Sequence, residues 1–316
     1  MFVYSCSLQN NHIEDEGARA LAEVLQSNRK LTTLNVQKNG IGPEGVKKVG
    51  EALTKNQTLQ DLNVSSNHLG DLGTVALAQA LMGNHILHRL SLQSNSVSDR
   101  GIKALSHALQ SNRGLSCLNL RENSIGVAGA KDIAKALKVN TCLRELDLTA
   151  NLLHDEGVTA IAEAMRVNRA ITSLHLQWNF IKAGAAKALA KSLMSNTCIQ
   201  LLDLQENALG DNGVIALACA LRSNSSLSVL YLRGNSIGME GAKAFSSALK
   251  NNRSLRSLNL QENSLGMDGA IFIATALRGN HQLTYINLQG NGIGESGAKV
   301  VSDAIKAGAP DCVVDI

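Results

Sequence analysis

The chain has 316 residues, 30 Lys+Arg against 26 Asp+Glu for a net charge of +4, and only 3% aromatic residues. So mild a surplus does not demand a nucleic-acid partner, and any core must be aliphatic. Six cysteines occur, none in a CxxC pair or a metal-ligating cluster, and they read as reduced, mostly buried thiols.

In chain order the first unit runs through Val3, Cys6 and Leu8 to Asn11. The same pattern returns at Asn39, Asn67, Asn95, Asn123, Asn151, Asn179, Asn207, Asn235, Asn263 and Asn291, always 28 residues apart. Repetition on this scale decides the fold. Each asparagine follows an aliphatic triplet such as Leu143, Leu146 and Leu148, whose alternation with polar residues predicts a short half-buried strand. Downstream comes an Ala-rich stretch such as "GVIALACALRSN" (213–224). There Val214, Leu217, Ala218 and Leu221 recur at helical spacing and predict an amphipathic helix. Acids such as Asp155 and Glu156 before the helix, and bases such as Arg222 and Lys250 at its end, complement the helix dipole. A second asparagine closes each unit, from Asn28 to Asn280, and suits a left-handed cap. Recurring Gly45, Gly73 and Gly101 suit a tight strand-to-helix turn.

Such units stacked head to tail predict a parallel sheet with one helix per strand, because a single unit cannot bury its apolar face alone. Strands pack about 4.8 Å apart and helices about 10 Å, so the helical side must splay. The expected fold is an α/β horseshoe-shaped solenoid with a concave sheet and convex helices. It is one domain, 1–316, of about 11 repeats, with 1–11 an incomplete first repeat and 309–316 a closing half-repeat. A bare apolar first unit is unfavourable for a solenoid, so further repeats or another domain are expected before Met1.

Little in the chain suggests catalysis. "GIGPEG" (40–45) and "GIGESG" (292–297) match a dinucleotide fingerprint, but Gly42 and Gly45 belong to the repeat, and a solenoid sheet has no strand-order reversal to hold a phosphate. The repeat register implies no Ser/His/Asp set, and no catalytic residue, metal or cofactor is assigned. The recurring asparagines read as structural: a buried amide can hydrogen-bond backbone groups of adjacent turns.

Most of the concave face reads as an uncharged amide carpet. The exception comprises Arg121, Asp147, His175, Trp178, Tyr231 and Arg233, with Phe180 just past Asn179. Strand spacing places Trp178 and Tyr231 roughly 10 Å apart. Trp, Tyr and Arg dominate interface hot spots because they bury large area and keep a polar handle. Trp178 is the single tryptophan and has two readings: an exposed anchor for a protein partner on the concave face, or a rim residue packed over Phe180, Ala150 and Leu152. A second candidate is basic. Lys103, Lys131, Lys187 and Lys243 stand eight residues after their asparagines, and Arg222 and Lys250 seven residues further on. Such rows can track a phosphate backbone, or simply be a solvated helix face.

The pattern LxxLxLxxN, seen here as Leu143, Leu146, Leu148 and Asn151, resembles leucine-rich repeats, and the uniform period with a full helix resembles the ribonuclease-inhibitor-like subclass. "NSIGVAGAKDIAKALKVN" (123–140) and "LNLQENSLGMDGA" (258–270) are similar to the C-terminal repeats of NLR innate-immune receptors. That resemblance implies a protein-recognition segment without enzyme activity, and a setting in cytosolic immune control, on a branch that damps signalling. It also implies an upstream NACHT-type ATPase module, of which no GxxxxGK[ST] loop is present here. A cytoplasmic location is expected, since there is no secretory signal and no apolar run of membrane-spanning length. A ribonuclease-inhibitor-like role fits less well, because those repeats alternate in length and are richer in cysteine.

Overall fold

The computed structural model describes residues 4–309 and 311–316, and the chain divides into two compact units, Met1–Leu152 and Leu153–Ile316. Val3 and Pro310, which the sequence places in the first strand and the closing half-repeat, lie outside the described residues.

The first unit contains β1 (Ser5–Ser7), α1 (Glu14–Ser27), β2 (Thr33–Asn35), α2 (Pro43–Leu53), β3 (Asp61–Asn63) and α3 (Gly70–Gly83). It continues with β4 (Arg89–Ser91), α4 (Asp99–Ser111), β5 (Cys117–Asn119), α5 (Val127–Leu137) and β6 (Glu145–Asp147). The second contains α6 (His154–Met165), β7 (Ser173–His175), α7 (Ala183–Leu193), β8 (Leu201–Asp203), α8 (Gly210–Leu221) and β9 (Val229–Tyr231). It closes with α9 (Met239–Leu249), β10 (Ser257–Asn259), α10 (Gly266–Leu277), β11 (Tyr285–Asn287), α11 (Gly294–Gly308) and β12 (Val313–Asp315). Within each unit a strand pairs in parallel with its sequence neighbour, offset by one repeat, as Leu62 with Leu90 and Leu202 with Leu230. In the closing segment Val314 pairs with Ile286. This is the α/β solenoid architecture expected from the repeat.

The core is almost wholly aliphatic, as the composition leads one to expect, with the fully buried ring of Phe245 as an exception. The middle residue of each strand points inward, exemplified by buried Leu34, Leu118, Leu202 and Leu258, and meets buried helix residues such as Val46, Leu105, Leu189 and Leu217. Each such side chain taken fully out of water contributes roughly 1.5–3 kcal/mol. Ala162, Ala190 and Ala218 are buried between helices, where a larger side chain would hold the helices apart.

The asparagine preceding each helix is a structural tie. Asn67 is buried, and its Oδ1 accepts from the amides of Asn39 (3.0 Å) and Ile41 (3.0 Å) in the preceding repeat. Its Nδ2 donates to the carbonyls of Val36 (3.0 Å), Val64 (2.9 Å) and Ser65 (3.1 Å). The closing asparagines form a second ladder. Nδ2 of Asn84 donates to Leu53 O (2.7 Å), while its Oδ1 accepts from the amides of Ile86 (2.9 Å) and Leu87 (2.9 Å). These residues are not left-handed caps, contrary to the sequence reading: Asn28, Asn84 and Asn112 are extended, with φ of −70°, −89° and −64°. The extended backbone turns the amide inward, where it bonds carbonyls of the preceding repeat. The thiols also depart from expectation. Cys312 is buried, Cys219 is exposed and the other four are half-buried, all free.

Replacing Asn67 by Ala leaves buried backbone donors and acceptors unpaired, at about 1–3 kcal/mol for an orphaned group. Urea unfolding of Asn67→Ala should therefore show a loss of about 3 kcal/mol. A loss within experimental error would remove the ladder from the account of stability.

Candidate recognition site on the strand face

Each repeat exposes residues on a fixed framework. The first and third residues of a strand face outward and are half-buried, as Ser173 and His175 are around buried Leu174. Past the strand, the residue just before each asparagine adopts left-handed backbone in every repeat. Asn10, Lys38, Ser66, Ser94, Glu122, Ala150, Trp178, Glu206 and Glu262 have φ of 52–60°, and Gly234 and Gly290 have 64° and 69°. The two glycines hint at this in the sequence; the other nine residues hide it. Trp178 thus occupies a conformation that costs an L-residue on the order of 1 kcal/mol.

Trp178 is 55% exposed and Phe180 57%, on either side of buried Asn179. Phe180 is also left-handed, at φ 58°, and its ring stacks on His154 with centroids 5.3 Å apart and planes 23° from parallel. Tyr231 and Arg233 belong to the same unit as this corner, whereas Arg121 and Asp147 belong to the first unit. Neither arginine is a bare cation. Arg121 Nε donates to Glu122 (2.9 Å), whose carboxylate also accepts from the Ser94 hydroxyl (2.7 Å). The Ser94 and Arg121 hydrogen bonds hold Glu122 below the usual carboxylate range. Arg233 bridges two repeats, bonding Glu262 through Nη2 (2.7 Å) and Nε (2.9 Å) and lying 3.3 Å from Glu206. The Glu262 hydrogen bond raises its pKa further. Asp147 uses Oδ1 to accept from the Thr149 amide at 2.8 Å.

One grouping was not foreseen from the repeat register. Ser173 Oγ lies 2.9 Å from His175 Nε2, and His175 Nδ1 lies 3.8 Å from Oδ2 of buried Asp203. Register explains it: Ser173 and His175 share one outward strand face, and His175 pairs with Asp203 on the next strand. The trio has serine-hydrolase residue types but not the supporting shell. Asp203 also accepts from the Gln205 amide (3.0 Å) and side chain (3.2 Å). The nearby amides of Leu176 and Trp178 donate to the carbonyls of Asp203 and Gln205, which leaves neither to stabilise an oxyanion.

The six basic candidates, Lys103, Lys131, Lys187, Arg222, Lys243 and Lys250, are all exposed on helices or helix ends. Lys243 lies 3.6 Å from Glu240 and 5.9 Å from the centre of the Phe272 ring.

Acids near the helix starts act across repeats. Asp15 Oδ1 accepts from the amides of Gly42 (2.7 Å) and Gly45 (2.9 Å), at the beginning of the next helix. Asp71 does the same for Ser98 (2.8 Å) and Gly101 (2.9 Å), and Asp211 for Gly238 (2.7 Å) and Gly241 (2.9 Å). In "GIGPEG" an internal carboxylate therefore occupies the place a bound phosphate would need. The recurring glycines also have a different role from the one expected. Gly45 lies inside the first helical turn, and a Cβ there would come within 2.6 Å of Asp15 Oδ1 and 2.9 Å of the Ala18 Cβ. Close approach, not turn geometry, requires it. In the seventh repeat the buried Ala185 takes that place.

The family model for the NLRC3 LRR domain matches residues 1–232. The chain belongs to this family. Leucine-rich-repeat matches follow at residues 223–246, 251–274 and 279–302, so leucine-rich repeats extend through the part of the chain that carries Arg233 and Tyr285. Solved structures agree on the fold. A yeast Rad7–Elc1 complex is 18% identical, covering 96% of this chain and 73% of that one at a TM-score of 0.60. An internalin from Listeria monocytogenes is 20% identical, covering 95% and 93% at 0.52. No curated protein matches. A leucine-rich-repeat protein-recognition segment of NLRC3 type is thus established. No helix among the described residues is long and apolar enough to cross a membrane.

Two outcomes follow from this geometry. Trp178→Gly and Trp178→Ala both remove the ring, but only glycine relieves the left-handed backbone. The glycine variant should be the more stable of the two by about 1 kcal/mol, measured by chemical denaturation; equal stabilities would deny the strain. For Asp71, burial raises the pKa, but the Ser98 hydroxyl and the amides of Ser98 and Gly101 outweigh it and leave the net shift downward. A depressed carboxyl contributes stability that is full above its unfolded value, about 3.9, and lost as pH falls through its folded value. The advantage of the parent over Asp71→Asn should be constant near neutral pH and shrink below about pH 4 in urea titrations.

Proposed function

We propose that this segment is the partner-recognition part of an NLR that acts in cytosolic innate-immune control as a damping regulator, joined in the parent protein to an upstream NACHT-type ATPase module. The family match supports this setting. The observation that carries the site is the pair Trp178 and Phe180, both more than half exposed on strained backbone. Two large rings kept in water at a cost in stability fit an anchor for a protein partner better than a packing role. Binding there would bias the ATPase module only if the partner contacts its two states differently.

The test is comparative capture from cytosolic extract with the parent, Trp178→Ala and Phe180→Ala. Proteins retained by the parent and lost from both variants are expected. Identical sets from all three would sink the anchor.

Exposed Lys103, Lys131, Lys187, Lys243, Arg222 and Lys250 support a second reading, nucleic-acid sensing along the helices. Each phosphate contact contributes about −0.9 to the log–log salt slope of duplex binding. A slope of several units, reduced by Lys131→Ala, Lys187→Ala and Lys243→Ala together, would establish it. No binding at low salt would end it.

A further inference from the structure

The two units differ in the first residue of each strand, which faces outward. In the first unit this row reads Ser5, Thr33, Asp61, Arg89, Cys117, Glu145, without one aliphatic or aromatic side chain. In the second it reads Ser173, Leu201, Val229, Ser257, Tyr285, Val313, with register pairing each to the next. Tyr231 adds a ring on the same face. Leu201, Val229, Tyr231 and Tyr285 are half-buried and Val313 is 60% exposed. At about 4.8 Å per strand, Leu201 to Val313 makes a mainly apolar track about 19 Å long, broken at Ser257.

Its charged surroundings have one predominant sign. Asp203, Glu206, Glu262 and Asp315 stand on the outward positions or bends of these strands, against two guanidiniums: Arg233, already shared between Glu206 and Glu262, and exposed Arg256 just before Ser257, which donates to the Gln282 carbonyl at 3.1 Å. Asp315 accepts from the Tyr285 hydroxyl at 2.7 Å, and Asp203 accepts from Gln205 and lies 3.8 Å from His175. Four carboxylates therefore outnumber two guanidiniums around an apolar floor.

We infer that the strand face of the second unit docks a basic protein segment, one that lays apolar side chains along Leu201, Val229 and Tyr285 and directs Lys or Arg toward Glu206 and Glu262. A track of that length matches about six extended residues or about three helical turns. An acidic segment or a nucleic-acid backbone would meet like charge there. This inference rests on the protein-recognition reading and specifies the partner's chemistry.

The experiment uses fluorescence anisotropy of two labelled amphipathic peptides, one built of Leu and Lys, the other with every Lys replaced by Glu. The Lys peptide should bind the chain at least tenfold more tightly. Leu201→Thr with Val229→Thr should weaken it about tenfold; threonine already stands in this row at Thr33, so folding should survive, as circular dichroism would confirm. Glu206→Gln with Glu262→Gln should weaken it similarly by leaving Arg233 uncompensated. Equal affinity for the two peptides, or no effect of either double variant, overturns the inference. If extract capture still depends on Trp178 while the peptides fail, only the partner's chemistry is wrong. If the peptides discriminate while capture ignores Trp178, the docking track stands and the aromatic anchor falls.

Discussion

The side-chain amide of one asparagine, buried and bonded across the repeat boundary, is the contact on which the rest depends. Strands of three residues offer few ladder hydrogen bonds, and an isolated repeat cannot cover its own leucines. Asn67, Asn95 and their equivalents supply what the strands lack. Each fills the gap between a strand and a helix with a group that both donates and accepts, and each reaches the repeat before it. The closing asparagines do the same on the helix side. Two polar columns thus flank an aliphatic core, and every buried amide in them has an assigned backbone partner. The sequence holds four Asn-x-Ser/Thr triplets; those at Asn56, Asn224 and Asn252 fall on the second column, where the side chains are buried and bonded, and the fourth, Asn63, ends β3.

Because the scaffold consumes these polar groups, recognition is left to the side chains that the repeat does not constrain: the outward strand positions and the left-handed bend. That bend tolerates Gly, Ser, Glu or Trp because its backbone is held by bonds to the next repeat, such as Trp178 N to Gln205 O at 3.2 Å. A ring there is presented at a conformational cost that packing elsewhere offsets. Variation is concentrated where the backbone is over-determined, which lets the exposed face change without loss of the fold.

The fold was legible in the sequence, since a 28-residue period with two internal hydrophobic rhythms admits few alternatives. Strand register, the inward leucines and the structural role of the first asparagines could be read directly. The exposed aromatics could be named, but not their exposure, because Trp178 faces the same sequence neighbours whether it packs or projects. Cross-strand groupings were harder. Ser173, His175 and Asp203 meet only when a spacing of two along one strand is combined with a spacing of 28 between strands. The apolar row of Leu201, Val229 and Tyr285 is hidden for a related reason: each residue alone looks like an ordinary strand residue, and only the column shows the change from polar to mainly apolar. The extended asparagine caps are not legible in the sequence because the residue type suits left-handed backbone, while the tertiary bond to the preceding repeat demands the opposite.

The cross-repeat aspartates carry a consequence for how such chains can be rearranged. Where the fourth residue after the asparagine is Asp15, Asp71, Asp99, Asp155 or Asp211, the following helix begins after an extended residue held by that carboxylate. Where it is Pro43, Val127, Ala183, Met239 or Met267, the following helix begins one residue earlier, on left-handed Gly70, His154, Gly210, Gly266 or Gly294. Equal length conceals two kinds of junction, and the kind is written in the repeat before the one it shapes. Where the two kinds alternate, excising or duplicating a single repeat would pair a helix with the wrong kind of predecessor, whereas moving a matched pair would keep donor and acceptor together; consecutive Asp71 and Asp99 mark a place where one repeat could be lost without that mismatch. The unit of inheritance for this scaffold is therefore the interface between repeats, not the repeat that the sequence period displays.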